Sequence, residues 1–138
     1  MDQRISFVTL AVTDLEASRR FYLDGLGWTE DLYVEGDVCM IQVGERLVFS
    51  LWQREHFEAE VGVVAAGPGV APLTLAHNVA TPAEVDAVLA LARRAGAETV
   101  GEPQEREWGG YTGYFADPDG FRWEVATNPG EIGQKVLP

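Results

Sequence analysis

Making or breaking covalent bonds needs nucleophiles, bases or metal ligands, and this chain is poor in them. Its 138 residues include two histidines and one cysteine. Cys39 has no histidine identifiable as its base, so it reads as a buried apolar thiol rather than a nucleophile. His56 stands in the polar run Arg54-Glu55-His56-Phe57-Glu58, and reads as a surface residue. His77 shares strand parity with Leu73 and Leu75 and is expected to pack with them rather than to act as a ligand. Arg122 and Glu124 form the one acid–base pair of interest, with Arg122 as counter-ion, and Glu124 would carry any general acid/base work alone. No Gly-x-Ser-x-Gly elbow, phosphate loop or dinucleotide fingerprint occurs. The sequence offers instead flat aromatic surface beside small polar groups: Phe7, Trp52 and Trp108, with Thr9, Ser50, Thr74, Asn78 and Thr112. Such surface suits planar guests. Stacking contributes about 1–3 kcal/mol per contact by analogy with base stacking. Three contacts plus apolar burial approach the roughly −8 kcal/mol of a micromolar complex.

The elements that must position these groups repeat. Ile5 to Val12 reads as a strand, followed by a capping box at Thr13-Asp14-Leu15-Glu16 and a helix carrying Leu15, Phe21, Tyr22 and Leu26. Strands near 29–34, 38–43 and 46–52 follow, joined by Glu35-Gly36-Asp37 and Gly44-Glu45. The second half opens on a strand from Leu73 to Val79, then a capping box with proline at Thr81-Pro82-Ala83-Glu84 and a helix ended by Gly96. Strands near 98–100, 111–116 and 121–126 close it, the last two joined by Asp117-Pro118-Asp119-Gly120. The order is βαβββ twice, an internal duplication of α+β class whose two sheets would form a concave, barrel-like cleft. Module one spans about 1–63, a soft Gly/Pro joint about 64–72, module two about 73–130 and a C-terminal tail 131–138, all in one domain. Period-two alternation puts Val8, Leu10 and Val12, Leu47, Phe49 and Leu51, Leu73, Leu75, His77 and Val79, and Phe121, Trp123 and Val125 on helix-packed faces. The second faces then hold Phe7, Thr9, Ser50, Trp52, Thr74, Asn78, Arg122 and Glu124. Polar and aromatic groups mixed in this way fit a ligand site better than a bare surface.

Composition narrows the partners. With 22 acidic against 10 basic residues the formal charge is −12, which repels phosphate backbones and anionic lipid, so neither nucleic acid nor membrane is an expected partner. By steering, the same charge favours a basic small molecule. A lone cysteine supports no disulfide framework, and no apolar run approaches the roughly 20 residues of a membrane span. A cytoplasmic protein is expected.

Two segments, Val8 to Tyr22 with Gly25-Leu26-Gly27-Trp28, and Trp108 to Glu124, resemble the vicinal oxygen chelate superfamily. That superfamily contains glyoxalase I, extradiol dioxygenases, fosfomycin-resistance enzymes and bleomycin-resistance binding proteins. The resemblance implies its fold over nearly the whole chain, but one scaffold hosts several chemistries. Its enzymes hold a divalent metal at four strand positions, which here hold Phe7, Ser50, Thr74 and Glu124. Hard divalent ions want about six oxygen or nitrogen donors and zinc at least three protein ligands, so neither a metal nor another cofactor is expected. The resemblance also places Tyr114 in the ligand pocket and implies a homodimer. Its nearest match in character is the bleomycin-resistance branch, which sequesters an aromatic antibiotic without transforming it. Two other roles stay open: a glyoxalase- or dioxygenase-like enzyme with an atypical site using Glu124, and an interaction role without a ligand.

Overall fold

Strand β1 (Phe7–Val12) starts where pairing starts: Phe7 stands opposite Val48, while Ile5 lies outside the ladder and is exposed. The computed structural model describes residues 1–65, 67–99 and 101–138. Contacts divide the chain into two units, Met1–Pro68 and Gly69–Pro138. Both are α+β. Ala66 of the expected joint and Val100 of an expected strand lie outside the described residues.

In the first unit β1 leads into α1 (Leu15–Arg20), which opens into a π-helical turn, Phe21–Gly25. The cap differs from the expected one. Asp14, not Thr13, is the N-cap; its carboxylate accepts from the Ala17 amide at 2.9 Å. An extended Asp14 places a charged acceptor over the first turn, where carboxylates are favoured electrostatically. Glu16 accepts from the Tyr33 hydroxyl. Strands β2 (Leu32–Val34), β3 (Val38–Gly44) and β4 (Leu47–Gln53) follow, then α2 (Arg54–Glu60), a helix the polar run at 54–58 conceals. The sheet order is β1-β4-β3-β2, with β1 and β4 parallel. The core lies on its helix side, where Tyr22 and Trp28 meet Phe49 with ring centroids 5.1 and 5.8 Å away.

The second unit repeats the plan. It contains β5 (Thr74–Asn78), α3 (Pro82–Arg94), β6 (Glu98–Thr99), β7 (Gln104–Glu105), β8 (Tyr111–Ala116), β9 (Arg122–Thr127) and a short α4 (Glu131–Gln134). The order β5-β9-β8-β6, with β5 and β9 parallel, repeats that of the first sheet, and β7 pairs with β8 as a fifth strand. The Thr81 box forms on both sides: the Glu84 amide donates to Thr81 Oγ1, and the Thr81 amide to Glu84 Oε2 at 2.8 Å. Helix α3 packs on β8 and β9, burying Val85, Leu89 and Ala92 with Phe115, Trp123 and Val125. The tryptophan and phenylalanine rings stack 6.0 Å apart. Leu73 and His77 depart from expectation and are exposed. His77 lies on β5, the edge of the sheet, and Leu73 just before it, while the helix covers the inner strands β8 and β9. Among the described residues no helix is long and apolar enough to cross a membrane.

Candidate functional site

The registers fix which side chains share a face. In the first unit, Thr9, Ser50 and Met40 form one row across the second face, with Phe7, Val48 and Gln42 beside it and Ala11, Trp52 and Val38 on its other side. Phe7 is 53% exposed, whereas Ser50, in the middle of the sheet, is buried. Trp52 belongs to a local assembly. Its indole N–H donates to Asp37 Oδ1 at 3.0 Å, its ring meets Phe57 of α2 edge-on, and His56 Nδ1 lies 2.7 Å from the same carboxylate oxygen. Those two bonds hold the Asp37 carboxyl below its ordinary range, with the His56 contact the larger cause.

Cys39 sits on the opposite, helix-packed side. Burial and the nearby Glu30 carboxylate push its thiol up to about 12, and its S–H faces Glu30 Oε2 at 3.6 Å. Glu30 in turn takes two bonds from Arg19, at 2.6 and 2.7 Å, which hold its carboxyl below the usual range. A protonated, enclosed thiol is inert.

The second unit carries the denser chemistry. Across its second face run three rows: Thr74, Arg122 and Ala116; Ala76, Glu124 and Tyr114; Asn78, Ala126, Thr112 and Gln104. The Tyr114 hydroxyl donates to Glu124 Oε1 at 2.9 Å, and Arg106 Nε donates to the buried Thr112 Oγ1 at 2.6 Å. Burial, then the bond to Glu124, raises the Tyr114 phenol above its ordinary value. The expected Arg122–Glu124 ion pair is not formed. Residues two apart on one strand project side by side about 7 Å from one another. Glu124 takes Tyr114 as its partner, and Arg122 Nη1 is buried with no hydrogen-bond partner.

Trp108 stands on the tight loop before β8, closed by bonds from the Arg106 amide to the Gly110 carbonyl (2.7 Å) and from Gly109 to Arg106 (2.8 Å). Gly109 has φ +89°, the left-handed conformation that glycine adopts freely. The Trp108 indole lies across Gly110, so that a Cβ there would come within 1.9 Å of the ring. One face of Trp108 is therefore docked on its own loop.

Thus Thr74, Asn78, Thr112, Tyr114, Arg122 and Glu124 share one face of the second sheet, while Phe7, Thr9, Ser50 and Trp52 share one face of the first. Arg106 is the residue that sequence reasoning missed. The signal was its parity with Gln104, but a two-residue strand is too short for alternation to show.

The donor set at the four family metal positions is a phenyl ring, two hydroxyls and one carboxylate already bonded to a phenol, which does not fit a divalent ion. Among the described residues no three His, Cys, Asp or Glu side chains gather in a metal-binding group.

A family model described as the Glyoxalase/Bleomycin resistance protein/Dioxygenase superfamily matches residues 4–125. A solved glyoxalase-related enzyme from Fulvimarina pelagi is 35% identical, with TM-score 0.81 over 92% of this chain and 89% of that one. A glyoxalase/bleomycin resistance protein/dioxygenase from Nocardioides is 27% identical, with TM-score 0.77 over 95% of this chain and 90% of that one. A lactoylglutathione lyase from Agrobacterium tumefaciens, at 22% identity, TM-score 0.69 and coverage of 91% and 94%, shares the fold. A comparison with curated proteins returns no match.

Proposed function

The chain belongs to the glyoxalase/bleomycin resistance protein/dioxygenase superfamily, and within it we propose a metal-free binding protein that sequesters an aromatic small molecule, such as an antibiotic, without transforming it. The observation that carries this proposal is the state of Glu124. It is the one strong donor at the family's metal positions, and its Oε1 already accepts the Tyr114 hydroxyl. A carboxylate held in this way beside a phenol ring, with Thr112 and Thr74 on the same face, is equipped to orient a guest by hydrogen bonds while aromatic surface supplies contact. The proposal includes a cytoplasmic homodimer that takes neither nucleic acid nor membrane as partner.

Protein purified without chelator should contain no stoichiometric transition metal, and a planar aromatic compound should bind saturably in calorimetry, with weaker binding after Glu124→Gln. One metal ion per chain, or turnover abolished by EDTA, overturns it. A second possibility, a glyoxalase-like enzyme using Glu124 as base, is favoured by the 35% identity to a protein described as a glyoxalase-related enzyme. Turnover of the methylglyoxal–glutathione adduct that survives EDTA and is lost in Glu124→Gln would establish that activity instead.

A further inference from the structure

If the protein is such a binder, the charge of its guest can be read from the same face, and it runs against the charge of the chain. The protein carries −12, yet the second face of the second sheet holds Arg122 beside one carboxylate, Glu124, and Arg106, just beyond β7, brings a second guanidinium to Thr112 of that face. That carboxylate is engaged by Tyr114, and among the described residues neither arginine forms an ion pair. Arg106 uses Nε on Thr112, while Arg122 keeps a buried Nη1 with no acceptor. The neighbours of Arg122 across the sheet are Thr74 and Ala116, and among the described residues none accepts from Nη1. A guanidinium stays charged and offers a planar fork of donors that matches an oxyanion. A donor buried without a partner is costly, and Arg122 as a whole is only half-buried, so an oxyanion can meet the guanidinium fork to which that donor belongs.

We propose that this face selects aromatic guests that carry an acid group (carboxylate, sulfonate or phosphate), with Arg122 as the principal contact and Arg106 as the second. Charges are screened over about 8 Å at physiological ionic strength. The chain's diffuse negative charge therefore slows the approach of an anion without cancelling a charge-assisted bond made in contact.

The test compares three probes of one shape, 1-naphthoate, 1-naphthamide and 1-naphthylmethylammonium, by calorimetric titration of the full chain. Naphthoate should bind about tenfold or more tighter than naphthamide, the ratio expected for one charge-assisted bond. Arg122→Met should erase that ratio by lowering naphthoate binding to the level of naphthamide, and Arg122→Lys should keep part of it. Thermal unfolding establishes that each variant is folded, and the lysine variant decides the matter where the methionine one is not. Naphthamide or the ammonium compound binding as tightly as naphthoate overturns this inference and leaves the binding role standing. Failure of all three to bind overturns the binding role, and the inference with it.

Discussion

Replacing Tyr114 by phenylalanine removes one oxygen and leaves the ring in place, so it isolates the hydroxyl's bond to Glu124 at 2.9 Å. A hydrogen bond to a charged group is worth about 1.5–3 kcal/mol when enclosed. Both partners are partly exposed, so water replaces some of the loss, and about 1–2 kcal/mol is the expected cost. For a chain of this length that lowers Tm by roughly 3–8 °C. The cost alone does not identify the bond, because any packing defect would also register. The discriminating measurement is a double-mutant cycle with Glu124→Gln, followed by urea and thermal unfolding. If the two groups act through one bond, the double variant should fall short of the sum of the singles by about 0.5 kcal/mol or more. The pH dependence supplies a second readout. A phenol whose folded value is raised contributes stability that is present below the ordinary tyrosine range and lost as pH rises through the folded value. Wild type should therefore lose stability more steeply above pH 10 than Tyr114→Phe, and the two curves should converge in alkali. Additive single effects, within about 0.3 kcal/mol, with parallel alkaline limbs would refute the pairing as the organising contact of the face.

Other substitutions probe the remaining parts. Gly110→Ala would push a Cβ to 1.9 Å from the Trp108 ring and 2.6 Å from the Thr127 carbonyl oxygen, so it should destabilise by about 1–3 kcal/mol; unfolding at the wild-type temperature would show that the indole does not rest there. Cys39, enclosed and pushed up to about 12, should resist iodoacetamide at pH 7.5 in the folded protein and react once urea unfolds it; alkylation of the folded protein within minutes would contradict its enclosure. The depressed Asp37 carboxyl contributes stability above the ordinary carboxylate range that is lost as pH falls through its lower folded value, so Asp37→Asn should flatten the acid limb of the stability curve. An unchanged limb would mean that the His56 and Trp52 bonds are absent in solution.

What could be read in advance was whatever local rules determine alone. The Thr81 box forms as expected because its residues satisfy one another within a single turn. At the first helix the cap is Asp14, one position on from Thr13, with a charge to offer. Strand parity placed Phe7 and Thr9, and likewise Arg122 and Glu124, on common faces because a period of two is fixed by the pleat. Parity does not reveal which strand lies at the edge, and so it puts His77 in a packed interior where the structure leaves it exposed. Contacts between side chains lie further from the sequence still. Arg122 and Glu124 look like partners by spacing, yet the phenol three residues before the turn takes the carboxylate across the β8–β9 ladder.

The two units have the same strand order and the same parallel pair, but they differ in what their second faces hold. Structural work is concentrated on the helix sides: Phe49 with Tyr22 and Trp28 in one unit, Phe115 stacked on Trp123 under α3 in the other. Those faces account for the large buried side chains, each contributing about 1.5–3 kcal/mol of apolar burial. The second faces carry smaller buried groups, Ser50 and Thr112 among them. In the first unit that face is neutral across its central row of Thr9, Ser50 and Met40. In the second it holds Arg122, Tyr114 and Glu124 in two neighbouring rows, with Arg106 bonded to Thr112 in the third. One duplicated plan has thus been kept for its core and specialised on one sheet, and a search for the protein's chemistry should begin with Arg106, Tyr114, Arg122 and Glu124.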